Sequence, residues 1–207
     1  MHLSKLNSVD IIDIGTGNIA SLCSAFKKIN VPYNLCSEVS DFRGGKIILP
    51  GVGAFADFMN KLKRKKIDQY IIQKSKEKIS ILGVCLGFEI LFSTSTEHRL
   101  TNGLNLLKGD FDIIKSDLLI PHVGWNHCEF NLKRNELFYD IENSSDFYFT
   151  HSYILKNYEK KYVTAFTRYG AKFPSAVNKN NIYGVQFHPE KSQSKGLRIL
   201  KNFYERC

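Results

Sequence analysis

Three times in its first ninety residues the chain follows a short apolar, β-branched run with a longer segment of helical spacing. The pairs are Val9 to Ile14 then Ile19 to Ile29, Lys46 to Leu49 then Phe55 to Ile72, and Ile79 to Val84 then Leu86 to Phe92. Short strands joined by helices cross over and stay covered on both faces. The alternation therefore predicts an α/β fold, an open and mostly parallel sheet with helices on both faces. From Leu104 to Phe187 the strand-like runs crowd together, among them Asp110 to Lys115, Phe147 to Tyr153, Tyr162 to Arg168 and Ile182 to Phe187. These predict additional strands, partly antiparallel, extending or flanking that sheet. Leu197, Leu200, Phe203 and Tyr204 then repeat at helical spacing, which lays one face of a last helix on the core. With 207 residues, 43% of them hydrophobic, and no repeat or linker, one domain over residues 1–207 is expected.

The net charge of +9 is compatible with an acidic partner, nucleic acid or a basic proteome. Its densest run, Lys61 to Lys66, precedes the apolar pattern of Ile67, Tyr70 and Ile71 and fits the solvated face of a helix. No aromatic interleaving or zinc-finger spacing accompanies it, so no nucleic-acid partner is expected. The five cysteines, Cys23, Cys36, Cys85, Cys128 and Cys207, are odd in number and include no C-x-x-C pair. That pattern predicts a reducing compartment and no metal. No apolar stretch approaches bilayer length and the first residues lack a signal-like core, so the expected location is the cytoplasm, away from any membrane. Gly15-Thr16-Gly17-Asn18 lacks the third glycine and acidic follower of a dinucleotide fingerprint, and no cofactor is expected.

The segment Ile81-Leu82-Gly83-Val84-Cys85-Leu86-Gly87 sets a cysteine between glycines, at a strand end and directly before a helical pattern. This is the thiol counterpart of the nucleophile elbow, in which small neighbours permit a strained turn that exposes the reactive atom. A helix N-terminus behind it favours the thiolate. An inert buried thiol beside two turn glycines fits the same segment. In Ile182 to Glu190 a second strand runs into His188-Pro189-Glu190. An extended backbone through Pro189 sends His188 and Glu190 to one side, where the carboxylate can hold the imidazole for a nucleophile. A capping histidine is the plainer alternative. Leu49-Pro50-Gly51-Val52-Gly53 also ends a strand, and its glycines allow backbone N–H groups to face an oxyanion, or only to make a turn.

Taken in order, P-G-V-G, G-V-C-L-G and a distant H-P-E resemble the class I (triad) glutamine amidotransferases. Adding I-D-I-G-T-G-N, P-H-V-G-W-N, Y-F-T-H-S-Y and G-V-Q-F-H-P-E-K-S, the chain resembles the HisH family within them, the glutaminase subunits of imidazole glycerol phosphate synthase. The resemblance implies Cys85 as nucleophile, His188 as base and Glu190 as its orienting carboxylate. It also implies oxyanion and substrate contacts from Gly51, Val52, Gly53, Leu86, residue 89, His151, Ser152 and Tyr153. Asn18, Trp125, Tyr148 and Lys191 fall where such a subunit docks its partner, a HisF-type (β/α)₈ barrel cyclase that uses the ammonia. A core tryptophan remains the alternative for Trp125.

The chain departs from that pattern at Glu89, where the family usually has glutamine. An ionised carboxylate one helical turn from Cys85 would oppose thiolate formation. Two alternatives to the histidine-pathway glutaminase therefore stay open: a paralogue supplying ammonia to another synthase, such as a sugar amidotransferase pathway, and a catalytically impaired interaction subunit.

Overall fold

The computed structural model describes residues 8–15, 19–131 and 136–207. Its elements in chain order are β1 (Val9–Ile12), α1 (Ile19–Lys28), β2 (Tyr33–Cys36), β3 (Lys46–Leu49), α2 (Phe55–Arg64), α3 (Ile67–Lys76), β4 (Ile81–Val84), α4 (Leu86–Ile90), β5 (Thr94–Ser95), β6 (Thr101–Asn102), β7 (Asp110–Ile113), β8 (His122–Phe130), β9 (Ser144–His151), β10 (Tyr153–Lys156), β11 (Val163–Tyr169), β12 (Ala171–Lys179), β13 (Ile182–Val185) and α5 (Gln193–Arg206). Nine strands form one sheet in the order β2-β1-β3-β4-β13-β12-β11-β8-β9. The pairs from β2 to β13 are parallel and those from β13 to β9 antiparallel. A smaller sheet, β10-β7-β5-β6, mixes both orientations. No helix among the described residues is long and apolar enough to cross a membrane.

The central strands are apolar along their length because both faces are covered. Val9 and Ile11 share one core with Leu22 and Phe26 of α1 and Ile199, Leu200 and Phe203 of α5. Ile12, Ile47 and Leu49 belong to the other core, with Phe55, Phe58, Met59 and Leu62 of α2 and Ile67 and Ile71 of α3. The parallel half of the sheet thus has the helix cover that strand–helix alternation predicts. The helical pattern from Phe55 to Ile72, however, splits in two, because Lys66 takes a left-handed conformation at φ 56°. The basic run falls on that corner, where Lys63, Arg64 and Lys66 are exposed and Lys65 pairs with Glu38 at 2.5 Å.

One buried carboxylate ties the first crossover to the sheet. Asp10 on β1 accepts the backbone N–H groups of Arg43, Gly44 and Gly45 on one oxygen, each at 3.1 Å, and the Asn34 amide on the other at 3.0 Å. Removing it orphans three donors that enter β3. Asp10→Ala is expected to lower stability by about 2–4 kcal/mol and Asp10→Asn by less, read from urea unfolding midpoints. A loss under about 1 kcal/mol for the alanine variant would show that water replaces the carboxylate.

Candidate active site

Strands β4 and β13 are parallel neighbours with Val84 opposite Val185, so both release their chains at the same edge of the sheet. The Cys85 N–H donates to the Val185 carbonyl at 2.9 Å, the last rung of that ladder. Cys85 itself sits at φ 54° and ψ −112°, an uncommon conformation for any residue with a side chain and the strain expected of an elbow. The turn can pack there because position 87 has no side chain; a Cβ on Gly87 would lie 1.7 Å from the Leu49 carbonyl oxygen. The helix that follows, α4, has only five residues. The Cys85 thiol faces the Thr150 carbonyl on β9 at 3.6 Å.

Three residues after β13, the His188 Nδ1 meets the Glu190 carboxylate at 2.8 Å, and both side chains are buried. Pro189–Lys191 forms a 3₁₀ turn rather than the extended backbone expected from sequence, and the turn brings the carboxylate back to the ring. Burial alone would lower the His188 pKa. The Cys85 sulfur and the Glu190 carboxylate outweigh burial and raise it to about 10. Ser192, the last residue of the G-V-Q-F-H-P-E-K-S motif and given no role from sequence, fixes the backbone here: it accepts the Tyr148 N–H at 3.0 Å and donates to the His188 carbonyl at 2.6 Å. The His188 N–H closes this ring of bonds on the Tyr148 carbonyl at 2.9 Å.

Cys85 and His188 open into a cavity of about 230 Å³ whose walls include Val52, Gly53, Leu86, Glu89, His151, Ser152 and Tyr153, all expected from sequence. Gly51 is not on its surface. It is buried, and a Cβ there would meet the Phe58 ring at 2.8 Å, so this glycine serves close packing, whereas Gly53 holds a positive φ of 105° in open space. Lys191, expected at the docking face, also reaches the cavity, as do Glu97, Pro121 and Thr150. Glu97 lies in an aperiodic loop that offers no sequence signal; its carboxylate accepts the N–H of Phe55, the first residue of α2, at 2.5 Å. Beside the cavity, Trp125 pairs across the β8–β9 ladder with Tyr148, ring centroids 6.3 Å apart, and the Lys191 ammonium lies 5.5 Å from the Tyr148 ring. Trp125 is 49% exposed and is no core tryptophan. Asn18 lies outside the described residues.

Residues 10–207 match the family model described as glutamine amidotransferase class-I. The chain belongs to the class I glutamine amidotransferases. Among similar amidotransferases, the imidazole glycerol phosphate synthase subunit HisH of Moorella thermoacetica is 39% identical over 201 residues, covering 97% of this chain and 95% of that one. The HisH subunit of Bacillus subtilis is 37% identical over 202 residues, with 94% of each chain covered. The fold is also that of a crystallised glutamine amidotransferase, at a TM-score of 0.75, 16% identity and coverage of 95% of this chain and 97% of that one. A similar likeness holds to the PurLQS structure from Thermotoga maritima, with a TM-score of 0.72, 18% identity, and 96% and 97% covered.

The structure corrects the expectation of an ionised carboxylate at position 89 of this amidotransferase. Glu89 is buried, and burial, opposed by a hydrogen bond from Gln186 at 3.1 Å and assisted by the nearby Glu97 charge, raises its pKa from about 4.5 to about 8. At neutral pH the group is mainly a neutral acid with one O–H donor and one carbonyl acceptor, the kinds of groups a glutamine amide offers. The proton is retained in the fold but released by the unfolded chain between about pH 4.5 and 8. Stability from this site is therefore full below that window and falls across it, by on the order of 5 kcal/mol. Glu89→Gln is expected to flatten the fall in stability between pH 5 and pH 8.5, measured by denaturant unfolding. Its glutaminase rate should match the parent near pH 6.5 and exceed it by about tenfold above pH 8.5, where the parent ionises beside Cys85. Parallel pH profiles for the two proteins would refute the neutral acid.

Proposed function

We infer that the chain is the glutaminase subunit of an imidazole glycerol phosphate synthase, hydrolysing glutamine to glutamate and passing the ammonia to a HisF-type (β/α)₈ barrel cyclase in histidine biosynthesis. The observation that carries this reading is the strained Cys85 elbow and the buried His188–Glu190 pair side by side at one sheet edge, opening into a shared cavity. The HisH relatives, matched over nearly their whole length, favour this acceptor over another synthase. The half-exposed Trp125 with Tyr148 and Lys191 at the cavity's side suits a partner that receives a small product there. The reaction belongs in the cytoplasm, where free cysteines stay reduced.

In this reading Cys85 attacks the side-chain amide carbon of glutamine as a thiolate, and the N–H groups of the Val52–Gly53 loop and of Leu86 receive the oxyanion. His188, held protonated between Cys85 and Glu190, gives its proton to the departing nitrogen, which leaves as ammonia. Water then attacks the thioester. His188 takes the water's proton, and the C–S bond breaks to yield glutamate and free thiolate. Glu97 and Lys191 offer opposite charges to the ammonium and carboxylate of the amino-acid end.

Cys85→Ala in the complex is expected to abolish glutamine-dependent synthesis and keep synthesis driven by ammonium salts, measured by product formation with each nitrogen source. Loss of both would assign Cys85 a structural role. Gly53→Val, where a β-branched side chain disfavours positive φ, is expected to lower only the glutamine-dependent rate, by about 10²–10³. An unchanged rate would remove the loop from the oxyanion site.

A further inference from the structure

Beneath the candidate pocket the inner faces of β8 and β9 carry two buried histidines in direct contact, and the glutaminase chemistry above uses neither ring. His122 and His151 are cross-strand partners, with His122 Nδ1 2.9 Å from His151 Nε2. The direction of every bond in this chain is determined from its ends. His151 Nδ1 lies 2.8 Å from the Tyr153 carbonyl, which can only accept, so Nδ1 carries the proton. A neutral His151 then has only a lone pair at Nε2, and His122 must donate to it from Nδ1. That leaves a lone pair on His122 Nε2, which the Asn126 amide reaches at 3.1 Å while also donating to the Arg168 carbonyl at 3.0 Å. Burial keeps both rings neutral, lowering His122 to about 4 and His151 to about 3. His122 is also stacked between Phe149 and Tyr169, with centroids 4.9 and 3.9 Å away.

Both ring nitrogens of His151 are thus committed inside the protein, while residues 151–153 together line the cavity. Resting on the glutaminase reading, we propose that His122 is a positioning residue of the glutamine pocket: its Nδ1–H locks the His151 ring, which holds the Tyr153 carbonyl and so the backbone that receives the substrate. Asn126 anchors the lock on β8, the strand whose opposite face carries Trp125, so the pocket floor and the exposed aromatic face share one rigid connection. His122 reaches no reacting atom and acts only through His151.

Two substitutions separate the hydrogen bond from the packing. His122→Phe keeps a flat ring in the stack and removes the donor; His122→Asn keeps a donor near the Nδ1 position and removes most of the ring. In the intact complex, His122→Phe is expected to raise KM for glutamine about tenfold with little change in kcat or in ammonium-driven synthesis. His122→Asn should stay within about threefold of the parent KM. A parent-like His122→Phe, or a His122→Asn variant as impaired as His122→Phe, would overturn the proposal in favour of plain packing. If His122→Phe does not fold, ring ¹⁵N chemical shifts of the parent protein decide: both histidines should be neutral and protonated at Nδ1, and any other tautomer overturns it. The tautomer measurement needs no turnover, so a chain with the expected ring protonation but no glutaminase activity would sink the functional reading alone.

Discussion

The parallel pairing of β4 with β13 is the constraint on which the rest depends. These strands are separated by about half the chain, yet their ladder sets Val84 against Val185 and ends on the bond from Cys85 to Val185. Everything reactive is counted from that rung. One step past it, the β4 chain turns through a strained residue; three steps past it, the β13 chain presents an imidazole backed by a carboxylate. A one-residue slip would exchange the faces of a buried strand, removing the Val side chains from their cores, so packing selects the register that also aligns the chemistry. The placement of Cys85 beside His188 and the packing of the core are in this sense one requirement.

Much of this was legible in the sequence because local chemistry and global fold agree there. Glycines at 83 and 87 around a cysteine, and an apolar run ending in His-Pro-Glu, mark strand ends without help from tertiary structure, and both lie where the spacing placed them. The less legible parts are those where periodicity is weak. β8, with Asn126, Glu129 and two histidines among its nine residues, reads as polar until its one inner histidine, His122, is seen to pair with His151 of β9. β2 has one fully buried residue, too few to distinguish it from a loop. The break between α2 and α3 depends on the backbone of Lys66, which no side-chain pattern announces. Glu97 and Ser192 act through backbone partners far away in sequence, at the N-terminus of α2 and on β9.

Charge state was the other thing the sequence could not supply. At Glu89 the residue type suggested an anion opposing the nucleophile, whereas burial makes it mainly a neutral hydrogen-bonding group at ordinary pH. At His188 burial and its neighbours pull in opposite directions, and the neighbours prevail. In both cases the deciding quantity is the local dielectric together with the nearest charge, which depend on the folded surroundings rather than on the residue alone.

The Ser192 hydroxyl has a wider meaning. Tyr148, His188 and Ser192 close a small circuit of backbone and hydroxyl bonds, and Tyr148 shows its ring to the outside beside Trp125 while His188 faces the sulfur. The exposed aromatic face and the buried imidazole therefore share one stiff joint. A substitution that reshapes the Trp125–Tyr148 face strains the backbone that carries His188, and the reverse. In inheritance the two faces therefore cannot drift apart freely, because change on one side is tied to change on the other.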